Sequence, residues 1–310
     1  MSTDKKDDNI QMLTAYTQTP VLKTRKRSVE PNGQSAFFLW ELPSNHVIET
    51  SLLYLTYRFP RYVACLPSQQ SCNCRCKFCG LSNAIQKASN LDWETLYTLV
   101  ISMLSAKIAP HDAIQLSFMG QGEPLFNIEN ISLCYKQLKN DYPYRDWSCG
   151  ISTIGIPSLY NKLLNDNELA LATKLQISLH ASNDKLRNEL MPYTVNYSIN
   201  LALEGAEKYA RQTKHKVAIN YLLLNGVNDS ITDVQQLADL INPEFFYVKL
   251  SYYNDVCNNT YKSATSSTFD LFTKVLEDKG IEVTRFKSIG QKIGSGCGQI
   301  GLFNEFGSSR

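Results

Sequence analysis

The chain has little excess charge of either sign and no long apolar stretch, and each absence removes a class of function. Thirty-one Lys and Arg residues stand against 29 Asp and Glu, a net charge of +2, so bulk charge does not make it a polyanion binder. No uninterrupted apolar run approaches the roughly eighteen residues of a membrane span. Met1 to Ile10 mixes acidic and basic residues and lacks the apolar core of a signal peptide. Nor do the 9 cysteines resemble a secreted disulfide framework; four of them crowd onto one loop, which suits a reducing cytoplasm and a metal site. Cys134 and Cys149 fall in apolar stretches and read as inert core residues. With 43% hydrophobic and 19% charged residues, 310 residues suffice for one large α/β domain with a small attachment.

What is present is concentrated in Cys72-Asn73-Cys74-Arg75-Cys76-Lys77-Phe78-Cys79-Gly80. Cys72, Cys76 and Cys79 form a C-x3-C-x2-C triplet with an aromatic residue before the last cysteine. Three thiolates hold three irons of a [4Fe-4S] cube and leave the fourth open, whereas clusters that only carry electrons are closed by a fourth cysteine. An open iron binds and reduces something, and in radical SAM enzymes that partner is S-adenosylmethionine. The alternative is zinc: Cys74 brings four sulfurs into the same short run, enough for a tetrathiolate. A zinc knuckle normally splits its ligands into two separated pairs, and no second pair follows. On the cluster reading Cys74 is not a ligand.

Composition and patterning divide the chain into a basic leader (1–35), a small β extension (36–66) and an alternating strand–helix region (67–310). The leader contains Lys23-Thr24-Arg25-Lys26-Arg27 and ends in a Pro31-Asn32-Gly33 turn signal. That basic run is either a solvated tail or a phosphate contact. Strand-like runs span Ala36 to Leu42, Val47 to Tyr57 and Tyr62 to Leu66. Strands and helices then alternate. Strands are expected at Ala113 to Met119, Gly150 to Thr153, Leu175 to Leu179, Val217 to Leu224 and Phe246 to Tyr252. Helical periodicity starts at Trp93, Ile128, Pro157, Asn200, Ile231 and Ser267. Such alternation predicts a parallel sheet, open or curved into a partial (β/α)6 barrel, with active residues at the C-terminal strand ends.

Polar signals cluster there. Gly120-Gln121-Gly122-Glu123-Pro124 follows one strand, Ser152 the next, Ser178 and His180 the one after, and Asn254 the last. Glycines permit close backbone approach to a ligand, and Glu123 offers a carboxylate to an ammonium. Each signal alone fits an ordinary loop or a structural histidine. The ordered series, one polar residue per strand end after a cysteine loop, points to a single pocket.

These residues carry a resemblance. From about Ala36 to Ile300 the chain resembles the RlmN/Cfr family of radical SAM methyltransferases, which methylate adenosine carbons of ribosomal RNA and, for RlmN, transfer RNA. The likeness rests on Cys65-Leu66-Pro67-Ser68-Gln69, Ser117 to Pro124, Ile151 to Gly155, Ile177 to Ala181, Val227-Asn228-Asp229 and Ser295-Gly296-Cys297-Gly298-Gln299. It implies a [4Fe-4S] cluster on Cys72, Cys76 and Cys79, and S-adenosylmethionine in a pocket of Gly122, Glu123, Pro124, Ser152, Ser178, His180 and Asn254. It also implies an external electron donor such as flavodoxin or ferredoxin, and catalytic thiols at Cys65 and Cys297. In the family mechanism one S-adenosylmethionine methylates the C-terminal cysteine. A second is cleaved reductively to a radical that takes hydrogen from the S-methyl group, and the resulting carbon radical adds to C2 (or C8) of the adenine. The other thiol removes the base proton and releases the product by forming a disulfide. The target adenosine is expected in a loop or flipped from its stack.

The chain departs from the family in having too few residues before Ala36 for the usual accessory domain. It also departs at Gly80-Leu81-Ser82, Ser89-Asn90-Leu91, Asn254-Asp255 and Gln291-Lys292. Because several of these positions face substrate in the family, two alternatives accompany RNA methylation. One is the same methyl transfer to a small aromatic metabolite or peptide; the other is a non-catalytic cluster or RNA-binding paralogue.

Overall fold

The computed structural model describes residues 22–29, 35–56, 59–82, 87–104, 112–254 and 260–288, with the side chains of 25–29 left aside. Ten strands form one sheet in which order in space equals order in sequence. Its first part is an antiparallel meander of β1 (Lys23–Val29), β2 (Ser35–Glu41), β3 (Val47–Leu55) and β4 (Arg61–Cys65). From β4 onward every pairing is parallel, through β5 (Ile114–Phe118), β6 (Trp147–Thr153), β7 (Thr173–Ser178), β8 (Val217–Leu223), β9 (Phe246–Tyr252) and β10 (Val283–Phe286). β4 therefore joins the two parts, antiparallel to β3 on one side and parallel to β5 on the other. Among the described residues the sheet is not closed, and parallel strands advancing in one direction with helical crossovers give a partial barrel.

Local chemistry sets the crossovers. Asp92 caps the helix Trp93–Leu104 by accepting from Thr95 N–H, and Ser198 caps Ile199–Thr213 from Leu201 N–H. Ser230 and Asp233 form a reciprocal capping box at Ile231–Leu240, and Thr265 caps Ser266–Asp278. The apolar faces of these helices pack on the sheet, and one contiguous cluster of buried residues runs from Phe38 and Trp40 in the meander to Phe272 and Leu276 near the C-terminal helix.

The expected strands are present with ends moved by a few residues, but three features differ from expectation. Lys23–Val29, within the stretch read as a leader, is an edge strand on β2. Polar composition hid it: a lysine-rich edge strand covers the open side of apolar β2 while resisting pairing with another chain. Residues 1–21 lie outside the described residues. The helix expected from Pro157 is a single 3-10 turn, Pro157–Leu159, followed by two short helices, Tyr160–Leu164 and Asn167–Ala172. β10 and the helix Asp184–Leu190 had no counterpart in the sequence reading, both being too short for a periodic signal.

Candidate active site

The cysteine loop leaves the end of β4 and is clamped against the loop that leaves β5. Leu66 N–H donates to Ser117 O at 2.8 Å and Ser68 N–H to Gln121 O at 2.8 Å. The buried Asn127 amide donates to both Ser68 O (2.7 Å) and Leu91 O (2.8 Å), tying the two ends of the loop region together. The approach is close enough to require glycine. A Cβ on Gly120 would lie 2.8 Å from Leu66 O, and one on Gly122, at φ +98°, would lie 2.7 Å from Gln69 Cβ.

Cys72, Cys74, Cys76 and Cys79 line one side of a cavity of about 200 Å³. Its other lining residues include Gly122, Glu123, Ser152, Gln176, Ser178, His180, Asn220, Lys249, Ser251 and Asn254. Arg75 turns the loop with φ 52°, and Lys77 N–H donates to Leu190 O at 2.8 Å, anchoring its far end to the helix Asp184–Leu190. Burial, with the charge of the neighbouring cysteines, pushes Cys76 well above the ordinary thiol value. Burial likewise raises Cys79 to about 11. Cys72 is the exception, drawn down chiefly by a hydrogen bond from the Cys74 thiol. Three bare thiolates packed together are therefore costly, and a bound cation relieves the cost.

The cysteines bring several sulfur donors to one wall of the cavity, a donor set that suits an iron–sulfur cluster. Cys74, buried and hydrogen-bonded to Cys72, lines the cavity beside the triplet.

Glu123 is 2% exposed, and its carboxylate accepts from three donors: Leu125 N–H (3.0 Å), Thr153 Oγ1 (2.5 Å) and Ile154 N–H (2.9 Å). Burial raises its pKa against the pull of those bonds. Two donors use Oε1 and one uses Oε2, so part of Oε2's accepting capacity remains for a ligand ammonium. Pro124 opens the buried 3-10 turn Pro124–Asn127 and shapes this loop from behind, outside the cavity lining.

The opposite side is built from strand-end side chains. Ser152 and Ser178 place their hydroxyl oxygens 3.2 Å apart on neighbouring strands. His180 sits at φ 57°, a left-handed conformation uncommon for a residue with a side chain. Its Nδ1 accepts from Leu222 N–H at 3.0 Å, and its carbonyl accepts from the Asn228 amide at 2.8 Å. Burial, aided by the Arg187 charge, lowers the His180 pKa to about 3. The ring is therefore neutral with its proton on Nε2, and Phe78 of the cysteine loop packs edge-on against it at 4.9 Å. Asn254 donates to Ser288 Oγ at 2.9 Å.

Of the residues singled out from sequence, Cys72, Cys76, Cys79, Gly122, Glu123, Ser152, Ser178, His180 and Asn254 share this cavity. Cys65 ends β4 outside the lining, opposite Ser51 on β3 and Ser117 on β5. Cys297 lies outside the described residues. Sequence reasoning passed over Gln176, Asn220, Lys249 and Ser251, which line the same cavity from inside β7, β8 and β9. It also passed over Glu49, two residues before Ser51 and hence on the same face of β3, whose charge helps raise Cys79.

Comparison with known proteins agrees with this geometry. Residues 66–241 match the Radical SAM superfamily. A probable dual-specificity RNA methyltransferase RlmN of Prochlorococcus marinus subsp. pastoris is 32% identical over 248 residues, 77% of this chain and 69% of that protein. Its counterpart in Thermotoga sp. (strain RQ2) is 31% identical over 299 residues, covering 94% of this chain and 82% of that protein. The crystal structure of a radical SAM methyltransferase from Sphaerobacter thermophilus superposes with a TM-score of 0.80 at 25% identity, covering 95% of this chain and 85% of that one.

Proposed function

The chain belongs to the radical SAM superfamily and, within it, to the RlmN-type methyltransferases, and from that premise we propose that it methylates an adenosine carbon, C2 or C8, in ribosomal or transfer RNA, with Cys297 as methyl carrier. The observation that carries the reading is the meeting of Cys72, Cys76 and Cys79 with Glu123, Ser152, Ser178, His180 and Asn254 in one cavity, in a chain that also retains Cys65 and Cys297. Cys72, Cys76 and Cys79 would hold the cluster, which would supply the electron for reductive cleavage of S-adenosylmethionine after reduction by an external donor of the flavodoxin or ferredoxin class.

The chain's own residues do the rest. Glu123, fixed by three donors, holds the methionine ammonium of S-adenosylmethionine through its remaining Oε2 capacity. His180 offers a neutral Nε2–H donor whose orientation is set by the Leu222 N–H on its other nitrogen. Ser152, Ser178 and Asn254 complete the polar lining. Cys297 bears the methyl group, whose carbon, after losing one hydrogen atom, bonds to the base carbon; the adduct then gives up one electron, which the cluster would accept, and Cys65 receives the base proton. The Cys65 sulfur then bonds to the Cys297 sulfur as the S–CH2 bond breaks, and the departing carbon takes back a proton to become the methyl group of the product. Glu49, on the same face of β3 as Cys65's partner Ser51, is a second group able to take that proton.

The test is nucleoside mass spectrometry of total RNA from cells lacking their own enzyme of this type and expressing either the natural chain or Cys297→Ala. A 2- or 8-methyladenosine peak that depends on Cys297 is expected. Absence of that peak, with Cys297 recovered in methylated form, would assign the same chemistry to an acceptor other than RNA.

A further inference from the structure

Four side chains inside β6, β7 and β9 form one hydrogen-bonded row, and its first member fixes the orientation of the second. Lys249 Nζ stands 2.9 Å from Gln176 Oε1 and 4.0 Å from the centre of the Phe286 ring. An ammonium donates and never accepts, so Gln176 must turn its oxygen toward Lys249 and its NH2 toward Ser152. That NH2 donates to Ser152 Oγ at 2.9 Å. Ser152, accepting from Gln176, keeps its own hydrogen to give to Ser178 Oγ, 3.2 Å away, the sense that the Lys249 charge favours over its reverse. In that arrangement the Ser178 hydrogen faces the cavity. A positive charge at the head of the row polarises every bond in the same sense.

Lys249 is also the only Lys or Arg among the described residues that line the cavity. A donor at the end of a row headed by a cation suits an anion, and the carboxylate is the one anionic group of S-adenosylmethionine. Glu123, itself an anion held by other donors, repels a carboxylate from its own side of the cavity. We propose that Lys249 is a positioning residue which, through Gln176 and Ser152, presents the Ser178 hydroxyl as a donor to the carboxylate of S-adenosylmethionine. The inference rests on the cavity being the S-adenosylmethionine site.

Equilibrium binding of two ligands to cluster-loaded protein tests it: S-adenosylmethionine and its decarboxylated analogue. Lys249→Met and Gln176→Leu are each expected to weaken S-adenosylmethionine binding about tenfold, the cost of one charge-linked hydrogen bond, and to leave the analogue unchanged. Lys249→Arg is expected to recover most of the loss. Equal weakening of both ligands, or no weakening of S-adenosylmethionine in either variant, overturns the proposal. Failure of the natural protein to bind either ligand overturns the assignment of the cavity itself, and the proposal with it. Gln176→Leu keeps the buried charge in place, so the comparison holds even where Lys249→Met does not take up its cluster.

Discussion

The two sides of the cavity are made by different means. On the side of the cysteine loop, parts are fixed by main-chain hydrogen bonds and by contacts that only glycine allows, as where Gly120 and Gly122 press against Leu66 and Gln69. Even the Glu123 carboxylate is held there by two backbone N–H groups besides Thr153. On the side of β7 to β9, side chains hold side chains: Lys249 to Gln176, Gln176 to Ser152, Ser251 to Asn220. Contacts that only glycine allows tolerate almost no exchange of residue type, whereas a side-chain network can be rewritten position by position.

Substitutions on the two sides sharpen the contrast. The largest effect is expected from Cys76→Ala, which removes one of the three proposed cluster ligands: anaerobic iron and sulfide analysis should show loss of the cluster, and no 5'-deoxyadenosine should form. Retention of a full cluster would break the distinction between Cys74 and its neighbours. Next, Gly122→Ala forces a Cβ into Gln69 at a positive φ, and thermal or urea unfolding should register destabilisation of about 1–3 kcal/mol. The smallest effect at neutral pH is expected from His180→Gln on the opposite side.

That last variant carries a pH signature instead. Folding holds the His180 pKa near 3, below its ordinary 6.5, so the unfolded chain binds the extra proton first and stability falls as pH drops from about 6.5 toward 3. His180→Gln should remove this component, at most about 1.4 kcal/mol per pH unit, from urea-unfolding curves measured on either side of pH 6. An unchanged slope would mean that the imidazole is not held neutral by burial.

The legible parts of the molecule are those whose signal is local. Cysteine spacing marked the cluster loop, and the strand-to-helix alternation marked the parallel sheet. Glu123, Ser152, Ser178, His180 and Asn254 stood out because each sits just past an apolar run. Lys249, Gln176 and Asn220 did not, because a lysine or an amide inside a strand reads as solvent-facing. The signal existed in the alternation: Val248 and Leu250 are buried while Lys249 and Ser251 face the cavity, so in a strand covered by helices the polar set turns inward. The fixing of Glu123 by Ile154 N–H was not legible, since it depends on how β5 and β6 end in space.

The hydrogen bond from Lys77 N–H to Leu190 O reaches across the length of the chain that holds β5, β6 and β7. During synthesis the cysteines emerge long before the carbonyl that anchors their loop. That anchor can form only after the helix Asp184–Leu190 has been made, whereas the end of the loop that leaves β4 finds its partners, Ser117 and Gln121, much earlier in the chain.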